Sequence, residues 1–251
     1  MPSSCRPLGR AIACAATALL FGAGAARGQG PSLFCHQAHA PAGRVSVPQV
    51  HVVDRFGAVD SGVLRTAHVC KAATVDGIPS ALPEFDATTF ELAAGTPQVH
   101  VGDFLLENQF GHAYIHPEYA DLLLTNALVG GGTTDPLPAL VAWTCYRLEF
   151  PAFPNFYVAV EDLFRSQKLI RIRKPRLLCV PTQLDGTPPD PDSILACYRQ
   201  VPKLPAPPEL PVLGLAVRTP FALETLDAGK DDLVCLPSTI TPAPPGSAGD
   251  R

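Results

Sequence analysis

Two histidines and a glutamate in the segment GHAYIHPEY have the residue types of a metal site. In an extended strand alternate side chains point to the same face, so His112, His116 and Glu118 would lie together. Imidazole and carboxylate groups are common ligands of divalent metals. The same residues also suit a polar edge strand. We favour the edge strand and predict no metal or other cofactor.

Three aspartates in the loop DGTPPDPD offer the oxygen ligands that calcium prefers: Asp185, Asp190 and Asp192. Their spacing does not fit the calcium loop of an EF-hand, which favours a solvated turn. The sequence also lacks the GxSxG, HExxH, P-loop and dinucleotide-binding glycine motifs. We therefore predict no catalytic residue and a protein that is not an enzyme.

A cationic segment is a candidate binding surface for a polyanion. Its members fall within nine residues and are Lys168, Arg171, Arg173, Lys174 and Arg176. Alternation in KLIRIR predicts that the isoleucines face inward and the arginines outward. Such a face could bind an acidic polysaccharide, lipopolysaccharide or an acidic protein surface. The other interpretation is a charged strand edge that resists aggregation.

A repeat positions these groups. Four phenylalanines recur at intervals of 54, 54 and 57 residues, at Phe56, Phe110, Phe164 and Phe221. Fourteen or fifteen residues after them stand Cys70, Leu124, Cys179 and Cys235. Between 19 and 24 residues before them stand Cys35, Glu91, Cys145 and Cys197. The resulting units, numbered 1 to 4, span residues 32–77, 88–130, 142–186 and 194–238.

Each unit contains three short strand-like segments, of which the second alternates in the period-two pattern of half-buried strands. The sequence thus predicts an all-β fold of tandem three-stranded repeats. Units 1 and 3 both end in Asp-Gly, whereas units 2 and 4 do not. This odd–even pattern predicts two antiparallel β-sandwich or barrel-like domains, 31–133 and 134–240. The Gly-rich stretch 129–138 would join them, and 241–251 would be a disordered tail.

The four phenylalanines are predicted to fill the core where the second strand of each unit turns into the third. Two residues before them stand side chains that can accept hydrogen bonds from turn amides, namely Asp54, Asn108, Asp162 and Thr219. A role for the acids as ligands or bases is the alternative. The structural role is favoured because Asn and Thr replace the acid in two units.

The six cysteines after residue 30 are predicted to pair within units. Unit 2 has no cysteine at either of the two repeat positions. Two cysteines that form a disulfide are expected to be absent together. The repeat then selects Cys35–Cys70, Cys145–Cys179 and Cys197–Cys235 among fifteen possible connectivities. A thiolate metal site or a catalytic thiol is the alternative. Zinc sites favour C-x-x-C pairs, which do not occur here.

Residues 1–30 have the order of segments found in a secretory signal peptide. Arg6 and Arg10 precede an apolar run that ends in small residues. An uncleaved membrane anchor is the alternative. Cleavage would remove three of the 19 basic residues and leave 23 acidic ones, a net charge of about −7. An acidic exported chain excludes nucleic acid as a partner, and no later stretch is long enough to span a membrane.

Several segments resemble a family of secreted bacterial repeat domains of unknown function. They are TCYRLEF, VAVEDLF, IRIRKPRLLCVP and ACYRQV. Unit 3 matches best, units 1 and 4 match partly, and unit 2 lacks the cysteines. The resemblance implies export, β-structure and paired cysteines. It implies no activity and no catalytic residues.

These observations predict an exported, non-catalytic β-repeat protein that is secreted, periplasmic or at the cell surface. It would have a binding or structural role at or outside the bacterial cell envelope. Its partner would be a cell-surface polysaccharide or protein. The alternative is a secreted hydrolase or metal-dependent enzyme with its site at the domain junction. A protease inhibitor is a third possibility, because disulfide-stapled loops are compatible with one.

Overall fold

In the computed structural model, the protein is built from β-strands. The structure describes residues 30–40, 45–93, 96, 98–130, 136–137, 139–149, 153–186, 193–202 and 210–244. Its strands are β1 (Leu33–His39), β2 (Val47–Asp54), β3 (Gly57–Val75), β4 (Asp86–Leu92), β5 (Phe104–Asn108), β6 (Gly111–Val129), β7 (Ala142–Glu149), β8 (Phe156–Asp162), β9 (Lys168–Pro181), β10 (Gln183–Leu184), β11 (Ile194–Pro202), β12 (Val212–Arg218) and β13 (Leu223–Pro242).

Some predicted segments lie outside the described residues. They are 1–29 of the signal peptide, most of the 129–138 join, and Asp190 and Asp192 of the acidic loop. The predicted tail is corrected at its start, because β13 continues to Pro242; residues 245–251 are outside the described part. No helix among the described residues has the length and apolar character needed to cross a membrane.

The predicted three-stranded repeat is confirmed. Unit 1 is β1–β3, unit 2 is β4–β6, unit 3 is β7–β9 with the short β10, and unit 4 is β11–β13. Each unit has a short first strand, a second strand and a long third strand. The predicted alternation holds in β9, where Ile170 and Ile172 are fully buried while Arg173 is exposed.

The first and third strands of the four units form a closed antiparallel ring. Within each unit the first strand pairs with the third. Each third strand also pairs with the first strand of the next unit. The pairing of β1 with β13 closes the ring. Because every strand of the ring has two neighbours, the ring has no free edge along these pairings.

The second strands connect units that lie opposite each other in the ring. β2 of unit 1 pairs with β10 of unit 3, and β8 of unit 3 pairs with the end of β3 in unit 1. β5 of unit 2 pairs with the end of β13, and β12 of unit 4 with the end of β6. The two predicted halves, 31–133 and 134–240, are thus parts of one sheet rather than two separate domains.

The odd–even pattern of Asp-Gly endings has a different cause from the one predicted. Asp76 and Asp185 both have a left-handed backbone, with φ of 50° and 46°. Each carboxylate accepts a hydrogen bond from a second-strand amide of the opposite unit, Asp76 from Ala159 and Asp185 from His51. The shared ending therefore marks two opposite units of one ring.

The ring separates two apolar cores. Its interior contains all six paired cysteines together with leucines and Trp143. A second, larger core packs the other face of the ring strands against the second strands and the first halves of the third strands. The ring strands therefore bury both faces over much of their length. Burial of both faces explains why several of them are nearly continuous apolar runs.

The three predicted disulfides are confirmed. They link Cys35–Cys70, Cys145–Cys179 and Cys197–Cys235, and each joins directly opposed residues of a first and a third strand. In unit 2 the residue opposite Leu124 is Thr89, so Thr89 and not Glu91 takes the place of the first cysteine. Buried disulfides of this kind are typical of proteins from an oxidising compartment.

The predicted turn at the start of each third strand is also present. The amides of the four phenylalanines donate hydrogen bonds of 2.7–3.2 Å to the side chains two residues earlier. The acceptors are Asp54, Asn108, Asp162 and Thr219. The four side chains differ in charge but supply the same acceptor oxygen, which accounts for the variation among the units.

Each turn phenylalanine packs edge-to-face on one aromatic ring of the opposite unit. The pairs are Phe56–Tyr146, Phe110–Tyr198, Phe164–His36 and Phe221–Phe90, with ring centroids 5.1–5.4 Å apart. The second member of each pair directly follows the first-cysteine position of its unit. The same contact therefore occurs four times around the ring.

Replacing a turn phenylalanine should destabilise the ring. We expect Phe164→Ala to lower the free energy of unfolding by about 3 kcal/mol, because it removes packing between opposite units. Leu163→Ala is the matched control, since the neighbouring Leu163 is 80% exposed. Urea unfolding of both variants measures the difference. Equal stability of the two variants would show that the Phe164 contact contributes nothing.

Candidate functional site

One end of the ring interior opens into a polar recess of about 420 Å³. We call this recess the mouth. All eight ring strands contribute lining residues, and the cysteine-containing core closes its inner side through Leu122, Leu177 and Leu233. A recess of this size can hold a small molecule or the end of a polymer.

Four β-bulges shape the mouth. In each third strand the pairing with the neighbouring first strand shifts register at two places, and at the shift next to the first-cysteine position a single third-strand residue is skipped. The skipped residues are Ala67, Asp121, Arg176 and Asp232, and all four line the mouth. A bulge turns a side chain away from the face that alternation would give it. The bulges thus bring three charged side chains into the ring interior.

The first strands supply a second set of side chains. Two residues after each first-cysteine position stand Gln37, Glu91, Arg147 and Arg199, and these four also line the mouth. Glu91 is therefore a mouth residue. The repeat thus places two sets of four equivalent positions around one recess, and the residues at these positions differ in charge between units.

Ion pairs hold the carboxylates of the mouth. Glu91 accepts two hydrogen bonds from Arg65, at 2.7 and 2.6 Å. Asp121 accepts one bond of 3.2 Å from Arg147. With Arg176 and Arg199, four arginines face three carboxylates in the lining. The mouth is therefore slightly cationic, although the whole chain has a net charge of −4.

His68 is fixed by two partners. Its Nδ1 lies 2.7 Å from Thr89 Oγ1 and its Nε2 lies 3.0 Å from Asp232 Oδ2. Burial alone would raise the pKa of Asp232, but the bond to His68 and the nearby Arg176 and Arg199 outweigh it and lower that pKa. Asp232 is therefore ionised at neutral pH and neutralises part of the cationic charge.

The structure places the five residues of the predicted cationic segment in different surroundings. Lys168 donates to the buried Asp231 at 2.7 Å, and Arg176 lies in the mouth. Arg173 and Lys174 are exposed on the outer surface, and Arg171 is half-buried. These five residues do not share one face of β9, and their binding of a polyanion stays a prediction. The separation results from the bulge in β9 and from its two differently packed faces.

The three candidate metal ligands considered in the sequence are only partly brought together. His116 and Glu118 line a second recess of about 440 Å³, together with Glu149, whereas His112 is exposed and is not part of that lining. His116 Nδ1 lies 2.9 Å from Asp103 Oδ1. In the described part of the chain, no group of three His, Cys, Asp or Glu side chains is placed to hold a metal ion.

A buried ionic cluster on the outer face of the ring was not predicted. His36 is fully buried between two fully buried carboxylates, Asp162 at 2.6 Å and Asp231 at 2.8 Å. Lys168 and Arg165 complete the cluster at 2.7 and 3.4 Å from Asp231. Asp162 is the turn residue of unit 3, and His36 takes the place that Tyr146 has in its own unit. The ion pair of His36 with Asp162 is therefore equivalent to the hydrogen bond that Tyr146 donates to the turn residue Asp54.

The cluster favours the protonated form of His36. Burial alone would lower the pKa of His36, but its hydrogen bonds to Asp162 and Asp231 outweigh burial and raise that pKa above 6.5. Burial alone would raise the pKa of Asp231, but bonds from His36 and Lys168 lower it below 3.8. The cluster thus stabilises a protonated His36 between two carboxylates.

Comparison with known proteins gives no match. No family model, curated protein or solved structure matches the chain. The family resemblance of the repeat units therefore stays a prediction.

The buried cluster predicts a pH dependence of stability. The contribution of His36 is complete below pH 6.5 and is lost as pH rises through its raised folded pKa. The contribution of Asp231 is present above pH 3.8 and is lost as pH falls through its lowered folded pKa. Urea unfolding as a function of pH should therefore show highest stability between these values.

His36→Tyr tests the origin of the alkaline limb. Tyrosine occupies this position in units 3 and 4 and bonds to the opposite turn there. We expect the variant to fold and to lose the decline in stability above pH 6.5. An unchanged alkaline decline in His36→Tyr would assign the effect to another group.

Proposed function

We propose that this chain is an exported, non-catalytic β-repeat protein that binds a component of the bacterial cell envelope, or of material outside the cell, in the mouth of its ring. The observation that carries the proposal is the convergence of side chains from all eight ring strands on one recess, with a charged side chain from seven of them. Function depends on such sites rather than on the fold alone.

Export is supported by two independent features. Residues 1–30 have the segment order of a secretory signal peptide. Three buried disulfides are compatible with an oxidising compartment, which a bacterial cell provides outside its cytoplasm. The disulfides also stiffen the inner side of the mouth, because each joins two neighbouring strands of the ring.

A binding role is supported by the state of the polar groups. The carboxylates of the mouth are bonded to Arg65, Arg147 or His68. Both ring nitrogens of His68 have protein partners. General acid–base catalysis needs a group within reach of the substrate that can exchange a proton. Apart from the exposed His39, the mouth presents fixed charges and guanidinium donors, which suit recognition.

The partner class follows from size and chemistry. The recess matches one or two sugar rings or a terminal side chain in volume. Guanidinium groups hydrogen-bond to hydroxyl and acidic groups, and the leucines on its inner side can contact an apolar ring face. A cell-surface polysaccharide is therefore the favoured partner, and an exposed protein segment is the second.

Filling the mouth tests the proposal. We expect the mature protein to cosediment with purified peptidoglycan, lipopolysaccharide or acidic exopolysaccharide. Ala67→Phe should abolish retention, because it adds bulk at a bulge that lines the mouth. Ala58→Phe is the control, since Ala58 is exposed in the same strand outside the lining. Circular dichroism checks that both variants fold.

The outcomes separate the proposal from its alternative. Retention of the protein and of Ala58→Phe, with loss in Ala67→Phe and an unchanged ligand mass, supports binding in the mouth. Soluble fragments released from the polymer would instead favour a secreted hydrolase. Absence of retention on all three polymers would overturn the proposed partner class.

A further inference from the structure

Three arginines in the mouth lie on neighbouring strands of the ring. Arg147 is on β7, Arg176 on β9 and Arg199 on β11. β9 pairs with both of the other strands, and Arg147 is opposite Leu177, beside the bulged Arg176. Adjacent strands are about 4.8 Å apart, so the three side chains start close together.

These arginines are less fully bonded than the fourth arginine of the mouth. Arg65 makes a two-bond pair with Glu91. Arg147 makes one bond of 3.2 Å to Asp121, and Arg199 lies 3.9 Å from Asp232. Within the described residues no hydrogen bond or ion pair of Arg176 is found. Since a guanidinium has five N–H donors, most donors of the three remain available to a ligand.

We propose that Arg147, Arg176 and Arg199 bind the anionic group of the ligand, a carboxylate, sulfate or phosphate carried on a compact body such as a sugar ring. Guanidinium groups recognise such oxyanions through paired, charge-assisted hydrogen bonds. The leucines on the inner side of the mouth contact the body of the ligand. This inference rests on the proposed function, because it names the ligand chemistry of the same recess.

The charge balance of the molecule makes the location specific. The chain as a whole is acidic, with a net charge of −4, and repels anions at long range. Asp121 and Asp232 lie beside the arginines and hold them in place until a ligand binds. The guanidinium groups of the three arginines can bind an anion in the mouth without help from a lysine or a metal ion. Affinity should therefore fall as salt is raised, since salt screens partly exposed charges.

Titration with four sugars tests the inference. Calorimetry at low ionic strength would use glucuronic acid, glucose 6-sulfate, glucose 6-phosphate and neutral glucose. We expect at least one acid to bind and glucose not to bind. Arg176→Gln should weaken that binding by about tenfold or more, because it removes charged donors. Arg173→Gln is the control, as Arg173 is exposed on the same strand outside the mouth.

A second variant covers the case in which Arg176→Gln does not fold. The side chain of Arg199 is 61% exposed, so Arg199→Gln should be tolerated and should also weaken binding. Equal losses in the Arg173→Gln and mouth variants, or equal binding of glucose and its acids, would overturn the inference. If no acid binds while Ala67→Phe still abolishes retention on envelope polymers, the inference fails and the proposed function stands. If both fail, neither stands.

Discussion

The contact between each turn phenylalanine and an aromatic ring of the opposite unit holds the architecture together. It occurs four times, with nearly equal centroid distances of 5.1–5.4 Å. The amide of the phenylalanine is bonded to the side chain two residues earlier, which fixes the turn. In three units that side chain also bonds directly to the opposite unit. Local turn chemistry and long-range packing therefore specify the same arrangement.

The bulges lie next to that contact in the pairing register. Each bulged residue lies between two paired residues of its third strand. One of them is paired with the contacted aromatic residue, and the other with the first-cysteine position. Closing the ring there requires extra twist, which a bulge supplies. The same bulge turns Asp121, Arg176 and Asp232 into the ring interior. The charge of the mouth thus depends on where the bulges lie.

The sequence predicted the parts of this structure that repeat locally. Strands, capped turns and disulfide partners follow from spacing, because each is decided within one unit. The number of domains does not follow from spacing. Asp76 and Asp185 bond to opposite units, and the spacing of residues within a unit does not show which other unit it contacts. Strict alternation would place Arg176 with Leu178, and only the bulge places it beside Leu177. The buried His36 was missed because a lone histidine after a cysteine gives no signal of two distant carboxylates.

A double-mutant cycle between Asp54 and Tyr146 tests the closed ring most directly. The two residues are 92 positions apart and belong to opposite units, with the tyrosine hydroxyl 2.7 Å from Asp54 Oδ2. Asp54→Thr and Tyr146→Phe introduce the residue types that units 4 and 2 use at these positions, Thr219 and Phe90. We expect a coupling of about 1 kcal/mol or more in the free energy of unfolding. Additivity to within about 0.3 kcal/mol would contradict the packing of opposite units.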